Sequence, residues 1–224
     1  MQEHDMAPRC EVPVLPCDHV RRILDEARIK DGLAARAIEI AILVPQPIRL
    51  VAAAPIELID RDGGFIRLMD DDGCWTELAV SPYAMEAIRA ASRGRSTGPL
   101  VADGRGHAFR PGPRSDAEVA DLMAVLPPTD ERDVFGLLLR TGLAHLAAAG
   151  VPAEALCLTG PSGWGDDPDR RFRHLEAQAS AASIWAGRLA LWTRPGSRGD
   201  FADCTRDGLR GVGIEDSLLW ERAE

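Results

Sequence analysis

The chain has 224 residues, 46% of them hydrophobic and 27% charged, and a formal net charge of −9. That composition provides a core and excludes a wholly disordered chain. The acidic balance disfavours general affinity for duplex nucleic acid or anionic membrane, and no run approaches the ~18 apolar residues of a membrane span. At about 100–200 residues per domain, the length fits a single domain or a domain with a subdomain.

Residues 1–17 read as a flexible arm with Pro8, Pro13 and Pro16 and no apolar signal segment. Asp18 is the expected cap of a helix with Val20, Ile23, Leu24 and Ala27 on its inner face. Gly32 is its expected end. In residues 37–44 the residues Ile38, Ile40, Ile42 and Val44 alternate, which predicts a strand. Further apolar stretches follow at 48–54, 56–59, 65–69 and 74–80. Asp60-Arg61-Asp62-Gly63 and Asp70-Asp71-Asp72-Gly73 supply turn chemistry between the later ones. The expectation is an antiparallel meander of four or five strands over about residues 37–80.

Ser81-Pro82 predicts an N-cap and a helix with Met85 and Ile88 inward, closed by Gly94. Residues 93–114 then lose all periodicity. Beyond them the chain reads as helical. Ser115-Asp116-Ala117-Glu118 has capping-box spacing before Val119, Leu122, Met123 and Leu126. Thr129 or Asp130 starts a second helix through Val134, Leu138, Leu139 and Leu146, ended by Gly150 and Pro152. Residues 155–159 read as a short strand. Asp167-Pro168 opens a long helix to about Thr193, and the tail 199–224 closes with a short helix. The expected class is α+β: one helix, the β-meander, then a mainly helical C-terminal half. In domain terms, 1–17 is the arm, 18–92 the α/β-meander half, 93–114 a loop and 115–224 a helical half packing on the sheet.

The 93–114 loop is the anomaly. Arg93, Arg95, Arg105, Arg110 and Arg114 against Asp103 give 5 − 1 = +4, so the rest of the chain carries −13. Gly94, Gly98, Gly104, Gly106 and Gly112 let backbone N–H groups approach an anion, and guanidinium forks bind phosphate or carboxylate bidentately. Arg95, Arg105, Arg110 and Arg114 are therefore the candidate ligand-binding residues. Asp103 and His107, four apart, are the candidate catalytic pair, the acid orienting an imidazole base. The plainer reading is a connector with a solvent-exposed histidine.

Other features point to structure first. Thr159 to Gly165 precedes a helix but lacks a P-loop lysine, and Ser162 misses the Gly-x-Ser-x-Gly spacing by one residue. Cys10, Cys17 and His19, with His4, are zinc-type ligands without the tight knuckle spacing, so no metal is assigned. Asp60-Arg61-Asp62-Gly63 lacks the ligand series of a calcium loop, and Cys157 in an apolar run reads as a buried thiol. His145 reads as packed in its helix. Arg170, Arg171, Arg173 and His174 oppose the helix dipole and call for acidic partners such as Asp166, Asp167 and Asp169. Trp185, Leu189 and Trp192 share one stripe, core by default. Five widely spaced cysteines suggest reduced thiols and a cytoplasmic protein.

Together these features favour a non-catalytic cytoplasmic accessory or assembly protein, acting through a protein partner or self-association, with no cofactor. The alternative is an enzyme or binding protein for an anionic small molecule, using the 93–114 loop and His107. Nucleic-acid contact through the same loop is the least favoured.

Overall fold

The computed structural model describes residues 14–69, 73–127, 133–156 and 168–192. The arm before residue 14, Thr129 and Asp130, the glycine-rich stretch with Cys157 and the tail beyond 192 lie outside the described residues. Helix α1 (Cys17–Lys30) buries Val20, Ile23, Leu24 and Ala27, as the spacing predicts. Pro16 rather than Asp18 occupies the N-cap, and Asp18 sits in the first turn, where an acid complements the helix dipole. The helix ends at Asp31, whose φ of 43° lies in the left-handed region, and Gly32 instead begins the next helix.

The expected strands before residue 60 are helical. Residues 33–43 form α2 (Leu33–Leu43), residues 48–53 form α3 (Ile48–Ala53), and Ile56–Leu58 is a single 3-10 turn. The reason is burial over most of its surface. Ala34, Ala35, Ala37, Ile38, Ile40, Ala41, Ile42 and Leu43 are all buried, leaving Arg36 and Glu39 as a narrow partly exposed strip. A polar face this narrow hides the 3.6-residue period, and the alternating isoleucines mimic a strand. With the packing enclosing it, alanine's helix propensity decides the conformation.

The sheet is a two-stranded antiparallel hairpin of β1 (Phe65–Met69) and β2 (Trp75–Ala79), with Phe65 opposite Ala79 and Met69 opposite Trp75. The α+β class therefore stands, with helix first and a mainly helical C-terminal half, but the meander is shorter than expected. Ile66, Leu68 and Leu78 enter the core, while Arg67, Glu77, Met69 and Trp75 line the other face.

Helix α4 (Pro82–Ser92) begins as the sequence dictates, with the Ser81 hydroxyl accepting the Ala84 N–H at 3.1 Å. Helix α5 (Pro113–Met123) starts two residues before the expected Ser115 cap, and the Ser115 hydroxyl reaches back to the main chain of Gly112. Helix α6 (Val134–Ala147) is capped by Asp133, which accepts the Gly136 N–H at 2.9 Å. Residues 153–156 form one helical turn, α7 (Ala153–Leu156), which takes in the first two residues of the strand expected over 155–159; residues 157–159 lie outside the described residues. Pro152 followed by good helix formers favours that turn. Helix α8 (Pro168–Trp192) is the predicted long helix. Helix α2 is central: α1, α3, α4, α5, α6 and α8 all touch it, and one apolar cluster runs from Leu15 to Leu189.

Candidate functional site

The arginine-rich loop is sewn into the core rather than hanging from it. Its backbone pairs with residues 52–56: Leu100 N–H donates to the Ala54 carbonyl at 2.9 Å, Val101 N–H to Ala52 at 3.1 Å, and Ile56 N–H to Gly98 at 2.9 Å. Leu100, Val101 and Phe109 are buried, with Phe109 edge-on to Phe135 at 5.5 Å. Apolar side chains at three points of an aperiodic segment fix it as firmly as a regular element would.

Between Val101 and Phe109 the chain makes a narrow turn. Asp103 N–H donates to the His107 carbonyl at 2.9 Å, and Gly106 N–H to the Asp103 carbonyl at 3.0 Å. One oxygen of the Asp103 carboxylate accepts the N–H groups of Arg105 and His107, at 2.8 and 2.9 Å. These backbone bonds hold the Asp103 carboxyl below its ordinary range. The other oxygen lies 3.4 Å from His107 Nδ1, so the expected acid and imidazole do meet. The imidazole is 74% exposed, however. Water surrounds it, and the carboxylate is chiefly a turn-former.

The candidate arginines divide. Arg95 is turned onto its own loop, donating to the carbonyls of Ser92 at 3.2 Å, Pro99 at 2.8 Å and Leu100 at 2.9 Å. Arg105 and Arg110 are exposed. Arg114 is the second residue of α5. Among the described side chains, then, Arg95 is committed to carbonyls of its own loop while Arg105 and Arg110 face solvent.

Elsewhere α8 carries a series of polar contacts to the hairpin. Arg171 pairs with Glu77 on β2, which Arg67 also holds at 3.1 Å; the Arg171 bond does most to keep the Glu77 carboxyl below its ordinary range. The acid that answers Arg171 thus comes from the hairpin. Gln178 accepts the Ala79 N–H at 3.3 Å and approaches His174 Nε2 at 2.9 Å with its amide nitrogen. A cavity of about 30 Å³ beside it is lined by Gln46, Ser81, Gln178 and Trp185 among apolar neighbours. That is room for about one water, not a metabolite. An open hollow of about 440 Å³ lies between Glu57–Asp60 and the outer face of the hairpin at Phe65, Arg67 and Glu77.

His145 is packed, as its helix position suggests. Its Nε2 lies 3.2 Å from the Leu15 carbonyl, while the Leu15 N–H donates to Thr141 Oγ1 at 3.0 Å. One turn of α6 thereby fastens both polar groups of Leu15. Cys17 and His19 share the first turn of α1, Cys10 lies outside the described residues, and no group of three metal-type ligands occurs among the described residues. Asp60 closes a turn, accepting the Asp62 and Gly63 N–H groups at 3.2 and 2.8 Å. No described helix is long and apolar enough to cross a membrane.

Comparison with family models, with curated proteins and with solved structures finds no match.

Burial pushes His145 below its ordinary value; the Leu15 carbonyl opposes that and the Arg188 charge adds to it. Burial does the same to His174. An unfolded chain therefore takes up protons on both residues before the folded one does. Their contribution is complete above about pH 6.5 and is lost as the pH falls from there toward the folded values. Urea unfolding between pH 5 and 7.5 should show stability falling with acid, by at most about 1.4 kcal/mol per pH unit for each histidine. His145→Gln with His174→Gln should flatten this slope, and an unchanged slope would refute the assignment. The Glu77 and Asp103 carboxyls titrate below this window.

Proposed function

We propose that the protein is a non-catalytic accessory or assembly protein that self-associates through the outer face of its β-hairpin. The supporting observation is the exposure of Met69 and Trp75, directly opposite one another in the hairpin register and 52% and 53% exposed. Phe172, in the same part of α8 as the Arg171–Glu77 bond, is 67% exposed. Scattered apolar side chains are ordinary on a surface, but a cross-strand pair of this size supplies an anchor for association.

A second copy is the occupant this surface suits. The Val80 N–H bonds the Gly64 carbonyl, so strand alternation points the N–H and C=O of Arg67 and Met69 away from β2. An open edge of that kind pairs with its own antiparallel copy. Arg67 and Glu77 already pair with each other on this face, so no unanswered charge opposes the meeting of the apolar pairs across a two-fold axis. Sedimentation velocity over micromolar to hundred-micromolar protein should give a concentration-dependent dimer. Trp75→Ser with Met69→Ser should remain monomeric without losing its fold. A wild-type protein that is monomeric throughout would end this reading.

Catalysis by Asp103 and His107 draws no comparable support, since no described residue encloses the pair and the imidazole is exposed.

A further inference from the structure

The edge of β1 is closed at one residue and open beyond it. Phe65 exchanges both main-chain bonds with Asp60: its N–H donates to the Asp60 carbonyl at 3.0 Å, and its carbonyl accepts the Asp60 N–H at 2.9 Å. Arg67 and Met69 point theirs the same way, with no main-chain partner among the described residues. The other edge of the hairpin is occupied, because Gln178 of α8 accepts the outward Ala79 N–H. A further strand can therefore join the hairpin on the β1 side.

Beside that edge lies the hollow of about 440 Å³, with the half-buried Leu58, Ile59 and Phe65 as its apolar wall. The charges around it are answered unequally. Glu77 is held by both Arg67 and Arg171. Glu57 accepts the Gly98 N–H at 3.0 Å, and Asp60 accepts the N–H groups of Asp62 and Gly63. The bonded partners of these two carboxylates among the described residues are thus main-chain donors, not cations. A second copy paired along β1 brings no cation to spare, because the one cation of that strand, Arg67, is committed to Glu77.

We propose that the open edge of β1 and the adjoining hollow take an extended segment of a partner protein that carries a basic side chain. Main-chain bonds to Arg67 and Met69 set the register of the added strand. An arginine or lysine on the side of the hollow lays its methylenes along Leu58, Ile59 and Phe65 and brings its charge to Glu57 and Asp60. The net charge of −9 draws such a segment in from a distance. The inference rests on the same open edge as self-association, so the segment and a second copy compete for it.

The probe is a capped, fluorescein-labelled pentapeptide, Thr-Val-Arg-Val-Thr, added to the full chain at pH 7.5. Fluorescence anisotropy should show saturable binding that weakens as salt rises. The peptides with Glu or Leu in place of Arg should bind about fivefold more weakly or worse. Glu57→Gln with Asp60→Asn, which keeps an acceptor for the turn, should weaken the Arg peptide to a similar extent and should sediment as wild type does. Glu86→Gln, an exposed acid on α4, should bind as wild type does. Arg67→Pro should abolish binding, since an edge proline lacks the N–H an added strand needs; the carboxylate variant decides if this one does not fold. Trp75→Ser with Met69→Ser should still bind, because the main-chain groups remain. A wild type that stays monomeric yet binds the peptide would end self-association and leave this site standing. No saturable binding, equal binding of the three peptides, or full binding by either folded variant would overturn the proposal.

Discussion

Trp185→Ala should lower the thermal midpoint by roughly 6–20 °C. That range combines about 3–5 kcal/mol for truncating a buried tryptophan with roughly 2–4 °C per kcal/mol in a chain of this size. Trp185 is 2% exposed, and its indole N–H donates to the Ile42 carbonyl at 2.6 Å. Ile42 lies in the last turn of α2, where carbonyls have no partner within the helix, so the indole ties α8 to the end of the central helix. Its ring stacks on His145 with centroids 6.1 Å apart, which joins α6 to the same point. Removing the side chain opens a cavity at the meeting of three helices and orphans a carbonyl. Trp185→Phe separates the two effects, since it keeps most of the packing and loses the donor, and should cost about 1–3 kcal/mol. Thermal unfolding followed by circular dichroism checks both; a midpoint within 2 °C of wild type for the alanine variant would contradict the packing described.

Gly142→Ala should also destabilise, against its helix propensity. In the interior of an exposed helix this change would gain about 1 kcal/mol. Here a Cβ on Gly142 would stand 2.5 Å from the Cβ of Pro45. The proline ring cannot rotate aside, so α6 must move away from the turn that follows α2. Overpacking of this kind costs about 1–3 kcal/mol. The Gly142→Val variant should be worse, because its second branch enters the same contact. Urea unfolding gives the sign directly: stability equal to or above wild type in Gly142→Ala would mean the helices are not this close.

Neither residue stands out in the sequence as a point of close packing. Gly142 looks like a weak position in a leucine-rich helix, and only the approach of Pro45 gives it a role. Trp185 is recognisable as core from its stripe with Leu189, yet its partner carbonyl belongs to a segment that reads as a strand.

Local chemistry was legible wherever it acted over a few residues. The amphipathic faces of α1 and α4, the Ser81 cap, the two hairpin strands and the long helix α8 all follow from spacing and capping residues. The meeting of Asp103 with His107 was legible for the same reason, since the turn between them is local. The helical state of residues 33–53 was not: a segment buried over most of its surface shows little of a polar face, and Glu39, Ala41 and Leu43 between the isoleucines and Val44 give an alternation that mimics a strand. The arginines of the loop follow the same division. Composition marked the segment as basic and the carbonyl bonds of Arg95 are local, but the pairing of Arg93 with Asp31, 62 residues away, comes from long-range packing. Sequence determined which stretches carry charge, turns and amphipathic faces, because those depend on neighbours along the chain. Tertiary structure decided which cations are answered and which apolar run is helix, because burial and electrostatics act between residues the chain itself does not place together.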